Sequence, residues 1–191
     1  MKFSKSLIPR IFLILFINQI FFNVPKAQSA EKIKIIYSIF SRTITVDSLK
    51  TFAESGNSSK SLRKILNATG SSDEKIQSIL NNKFEIPITI ASKLVYSEIG
   101  NVFLNRLSYI LHTPNTNDER TGMLALRSSV IKGLYTGNGK INLVSFFESY
   151  PTKTVILNVN ALSKVMNKVQ SISELLGFFT SKPLEKIKTI K

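Results

Sequence analysis

The chain has 191 residues, no cysteine, one histidine and a formal net charge of +14. The lack of cysteine excludes a disulfide scaffold, and one histidine is too few for a Cys/His zinc site, so neither a metal nor another cofactor is expected. The length suffices for one domain with a core of its own, and the charge favours anionic surfaces.

Residues 1–29 read as a secretory signal peptide. Lys2, Lys5 and Arg10 form a positive start, residues 11–17 are unbroken apolar, and residues 20–22 extend that run past Asn18 and Gln19. Ala27, Gln28 and Ser29 then place small residues at a cleavage site. The apolar run falls short of the ~20 residues that span a bilayer. The expected destination is the periplasm, a thylakoid lumen or the medium; a retained N-terminal membrane anchor is the alternative. Four basic residues and no acidic ones lie in this leader, so the remainder keeps a net charge of +10. Richness in Lys, Asn and Ile fits A/T-rich coding, but the scarcity of acids does not follow from it. Export makes nucleic acid an unsuitable partner; an anionic membrane surface or an acidic envelope polymer suits better.

Residues 32–46 predict a β-hairpin. Ile33, Ile35, Tyr37 and Ile39 alternate with a second face, Ser41-Arg42 is a polar break, and residues 43–46 are β-branched throughout. Thr45 or Asp47 caps a helix over 48–54, and Gly56 stops it. Ser58 or Ser59 caps a second helix with Leu62, Ile65 and Leu66 on one face, ended by Gly70. Ser71 and Glu74 form a capping box for a third, with Ile76, Ile79 and Leu80 apolar. Residues 84–87 read as a break. Helices follow over 89–96 and from 98 or 99 to 111, then a polar loop over 113–121 and a helix over 122–135. Asn142 caps a short helix over 143–149, and residues 154–159 form a strand. A last long helix starts at Asn160; its stripe Leu162, Val165, Met166, Val169, Ile172, Leu175, Leu176 and Phe179 faces the core.

The fold class expected is α+β, mainly α: short helices around a small antiparallel sheet, made of the N-terminal hairpin and the late strand, with a long C-terminal helix. The domain layout expected is 1–29 signal peptide, 30–180 one helical-rich domain, and 181–191 a basic tail.

The chemistry-bearing motifs are weak. No G-x-S-x-G is present, so the nucleophile turn of an α/β-hydrolase has no counterpart. His112, the one histidine, is read as a polar residue at a helix C-terminus, where imidazolium is favoured. Gly133 with Gly139-Lys140 fails as a phosphate loop, because Ile141 stands where Ser or Thr should be. Ser61-x-x-Lys64 and Ser72-x-x-Lys75 match a penicillin-binding pattern without its other motifs. The adjacent pairs Asp73-Glu74 and Asp118-Glu119 are of the solvated kind, and Phe146 and Phe147 read as core. No catalytic, cofactor or metal-ligating residue is assigned. The one candidate surface is basic: Lys164, Lys168, Lys182, Lys186, Lys188 and Lys191, offered to an anionic surface.

Several blocks together resemble a cyanobacterial domain-of-unknown-function family, the one numbered fourteen hundred. They are residues 48–56 (SLKTFAESG), 94–100 (LVYSEIG), 125–127 (ALR) and 150–152 (YPT) leading into 155–158 (VILN). In order and spacing they cover nearly all of 31–180. The resemblance implies export and a domain that commonly precedes a predicted α/β-hydrolase domain. The chain ends where that hydrolase would begin, so the expectation is a non-catalytic binding or accessory module at the cell envelope. A lid or regulatory domain acting on a separately encoded hydrolase is the alternative, and a hydrolase with an unrecognised site is the third reading.

Overall fold

The alternation of residues 32–46 produces two strands, β1 (Lys32–Tyr37) and β2 (Phe40–Thr45), paired antiparallel with Ile33 opposite Ile44. The structure is a computed structural model and describes residues 29–114 and 119–166. The hairpin turns at Ser38 and Ile39, not at the expected Ser41-Arg42, and Ser38 takes a positive φ of 53°. Ile39, expected on the buried face, therefore sits in the turn at 90% exposure.

Thr45 ends the hairpin and caps α1 (Val46–Ser55), accepting a hydrogen bond from the Ser48 amide at 3.0 Å. Its side-chain oxygen satisfies one of the donors that every helix start leaves open. Gly56 closes α1 with φ 76°, a conformation that costs a residue with a Cβ. Two side chains of α3 (Asp73–Asn81) complete that end. Gln77 donates to the Phe52 carbonyl at 3.0 Å and Asn81 to the Ala53 carbonyl at 2.6 Å. Between them α2 (Lys60–Thr69) is capped by Ser59 and leans on β2. The cap of α3 is Ser72 in place of the expected Ser71, and Ile79 faces out at 52% exposure.

The expected break at 84–87 holds a two-residue strand, β3 (Phe84–Glu85), which pairs with β5 (Lys140–Ile141). α4 (Ile88–Tyr96) and α5 (Glu98–Leu107) meet at Ser97. The latter helix stops four residues before the expected end, because Leu111 and His112 leave it as β4. α6 (Glu119–Thr136) is the longest described helix and packs against α4, α5 and α7 (Leu143–Glu148). Asn142 caps α7 through a reciprocal pair with Ser145.

β6 (Thr154–Asn158) enters the sheet between β1 and β4, giving the order β2-β1-β6-β4. It runs antiparallel to β4 but parallel to β1, with Ile33 beside Val155. The fold is thus α+β, helix-rich with an antiparallel-dominated sheet, as expected, plus one parallel pair. α8 (Val159–Met166) follows directly and packs against β1. It buries Ala161 beside Ile110, and the rest of the stripe from Val169 to Phe179 lies outside the described residues. Phe52, Leu62, Leu126, Leu134, Tyr150 and Val155 form the fully buried centre.

Tyr150 carries a hydroxyl into that centre without a protein hydrogen-bond partner. Burial pushes its phenol well above the usual range. Its ionisation is therefore disfavoured in the folded state, so folding loses stability as pH rises above about 10, the unfolded phenol value. Tyr150→Phe keeps the ring and removes the hydroxyl. It is expected to raise stability by about 1–2 kcal/mol and to flatten the alkaline limb. Urea titrations at pH 7 and pH 10.5 measure both effects, and a clear loss of stability at pH 7 would show that the hydroxyl is satisfied.

Candidate functional site

A ligand-sized concave surface lies between α4 and α6, and the local sequence explains its shape. Ser97 is the corner of α4 and α5. Its hydroxyl donates to the Leu94 carbonyl at 2.7 Å and accepts from the Gly100 amide at 3.0 Å, which turns the chain sharply. The turn leaves carbonyls at the end of α4 without helical partners. Arg127 of α6 answers one of them: its Nε donates to the Val95 carbonyl at 3.0 Å. Its Nη2 donates to the side-chain oxygen of Asn101 on α5. The ring of Tyr96 covers the guanidinium face, 4.4 Å from Cζ to the ring centre.

Arg127 is 8% exposed and its hydrogen-bond partners are neutral oxygens. A buried cation is ordinarily matched by a carboxylate. Here the carbonyl end of α4, an amide oxygen and a ring face share that task.

From Arg127 a groove of about 430 Å³ opens along α6. Leu124, Arg127, Ser128, Ile131, Lys132 and Tyr135 line it, and Ile88 and Tyr96 close it from α4. The α6 residues follow i, i+3, i+4, i+7, i+8, i+11 spacing, one stripe of a single helix. Leu124 faces the groove, and Ile131 lines it while also packing against the core; the buried side of this helix is Ala125, Leu126, Ser129 and Leu134. Ile90, Leu94 and Ile99 lie exposed on α4 and α5. The size falls within the ordinary range for small-molecule sites. Among the described residues the lining holds no histidine and no carboxylate, the usual general bases for a serine such as Ser128. The arrangement can bury an apolar chain and hold an anion.

Two other clefts are present. One of about 130 Å³ brings Glu54 and Glu148 together with Lys50. Lys50 donates to Glu148 at 3.0 Å, and this bond and the carboxylate's charge hold the ammonium above its ordinary value. That volume is below the usual size of a ligand site. The other, about 560 Å³, lies between the hairpin, α2 and the start of α8, lined by Tyr37, Phe40, Arg42, Lys64 and Val159 among others.

His112 is half-buried on β4, not at a helix end, and its Nδ1 donates to the Thr113 carbonyl at 3.0 Å. Asp73 pairs with Arg63 at 2.6 Å. Of the basic surface expected from sequence, Lys164 is exposed on α8. Lys168, Lys182, Lys186, Lys188 and Lys191 lie outside the described residues. Arg127 was the residue that sequence reasoning passed over as a functional group. Its only local signal is a charged residue directly after the short apolar run Met123–Leu126, in a helix that also carries Arg120 and Lys132.

The sheet order, the absence of a nucleophile turn and this groove define a helix-rich α+β domain with an apolar, cationic recess. The chain belongs to the family described as "Alpha/beta hydrolase of unknown function (DUF1400)", which matches residues 29–158. Every helix and strand described above except α8 lies within that match. No curated protein and no solved structure matches the chain.

Proposed function

We propose that the protein is an exported, non-catalytic binding module that works at the cell envelope. The observation that carries this reading is the α4/α6 groove: a ligand-sized apolar recess with a buried cation and, among the described residues, no acid–base pair in its lining. The leader-like residues 1–29 and the +10 charge of the remainder support the envelope as its place of work. The test is hydrolysis of p-nitrophenyl butyrate by the purified protein. The expected result is no turnover above background. Turnover that disappears in His112→Ala would give the histidine a catalytic role and overturn the proposal, and turnover surviving that change would place a reactive site elsewhere.

A second reading is a lid or regulatory domain for a separate hydrolase. The exposed apolar residues Ile90, Leu94 and Ile99 favour it, as does the family description. Its test is whether a hydrolase encoded beside this chain changes its KM when the protein is added.

The basic balance leads to a further expectation. The protein should sediment with anionic vesicles at low salt and release from them as salt rises, and it should ignore neutral vesicles. Each basic residue near such a surface contributes about 1 kcal/mol, over a range of roughly 8–10 Å. A version ending at Thr180 separates the contribution of Lys182, Lys186, Lys188 and Lys191 from that of Lys164 and Lys168. Equal binding to both vesicle types would reduce the charge to composition alone.

A further inference from the structure

We propose that the α4/α6 groove binds a fatty-acid anion, its carboxylate on Arg127 and its chain along Leu124, Ile131 and Tyr135. The inference rests on the non-catalytic reading of this same groove and names its ligand class.

Three observations converge on it. Arginine carries five N–H donors in one plane. Arg127 commits one to the Val95 carbonyl and one to Asn101, which leaves three. Tyr96 occupies the face of the guanidinium, whereas a carboxylate binds in its plane at the edge, so ring and ligand do not compete. Arg127 as a residue is 8% exposed, it is held by neutral oxygens, and among the described residues no carboxylate pairs with it, so an anionic head would supply the counter-charge.

The remaining lining sets the tail. Beyond Arg127 the α6 stripe offers Leu124 and Ile131, with Tyr135 at the far end and Ile88 opposite. Lys132 on the same stripe adds a second positive charge. These residues have no acidic neighbour in the groove to repel a carboxylate. The groove, about 430 Å³ and open to solvent, has room for one chain along α6.

The experiment is calorimetric titration of the purified protein with acetate, hexanoate, octanoate and decanoate, each below its micellar range, and with the matching alcohols. Affinity should rise about fourfold for each methylene buried. Decanoate should bind at least tenfold more tightly than 1-decanol, and acetate should give no heat. Leu124→Glu places a negative charge where the chain lies, at a residue 44% exposed, so the variant keeps its melting temperature. It should weaken decanoate at least tenfold. Alcohols that match the acids, affinity independent of chain length, or undiminished binding to Leu124→Glu would each overturn the proposal. Decyl phosphate binding more tightly than the acid would also overturn it, by making the head group a phosphate monoester. Hydrolysis of p-nitrophenyl decanoate that decanoate inhibits would keep the groove and overturn its non-catalytic reading. No binding together with no hydrolysis would overturn the groove assignment alone.

Discussion

Gly100→Ala should destabilise the protein by at least about 3 kcal/mol, at or beyond the top of the usual range for an overpacked site. A Cβ at this position would stand 2.0 Å from the Leu94 carbonyl oxygen and 3.1 Å from the Val95 Cα. Both atoms are backbone, so no rotamer change relieves the contact. The chain must open the corner between α4 and α5, which breaks the Ser97 bridge. The same opening displaces the Val95 carbonyl and Asn101, the two oxygens that hold Arg127. The variant should therefore lose ligand affinity along with stability. Urea unfolding measures the first effect and titration of the folded fraction the second. A variant with an unchanged midpoint would mean that the two helices do not meet this closely.

Leu126→Asp should cost at least about 4 kcal/mol at pH 7, a large share of the roughly 5–15 kcal/mol that holds a typical domain together. Leu126 is fully buried at the centre of the main core, one residue from Arg127 but on the other side of α6. An aspartate there loses apolar burial and places a carboxylate among side chains that offer it no partner. Burial raises its pKa above the unfolded value of about 3.9, so the folded state holds the proton more tightly. The penalty should then shrink as pH falls from 7 towards 4 and stay constant above the raised pKa. Melting curves at pH 4.5 and pH 7.5, each compared with the parent chain at the same pH, test both the size and the direction. A loss independent of pH would point to the missing leucine volume alone.

Local signals were the ones legible in the sequence. Thr45, Ser59 and Asn142 cap helices because a cap needs only its own side chain and the next turn. Ser72 took the cap in place of its neighbour Ser71 because either serine satisfies the same local pattern. The hairpin turn lies three residues from where composition puts it, since Ser38 and Ile39 carry none of the Asn or Gly signals that mark a two-residue turn. Non-local features were out of reach. Leu111 and His112 continue an apolar helical pattern, and only pairing with Ile156 and Leu157 draws them into the sheet. The parallel direction of β6 against β1 likewise depends on a partner far along the chain. Arg127 was hidden for a related reason: its place is set by Val95, Tyr96 and Asn101 on two other helices.

The parallel pairing also governs the order of assembly. Ile33 and Val155 lie side by side in the sheet but 122 residues apart in sequence. Every helix from α1 to α7 falls between them. β1 therefore has one edge open until nearly the whole domain has been delivered, and closing so long a loop slows the step that completes the sheet. An edge of this kind invites pairing with another chain while it waits. For a chain exported as proposed above, the same delay would suit translocation, because a chain whose sheet closes last stays threadable longest. The delay also has a cost wherever the chain folds: any stall before residue 154 leaves a half-built sheet whose open edge can pair with another copy of the chain.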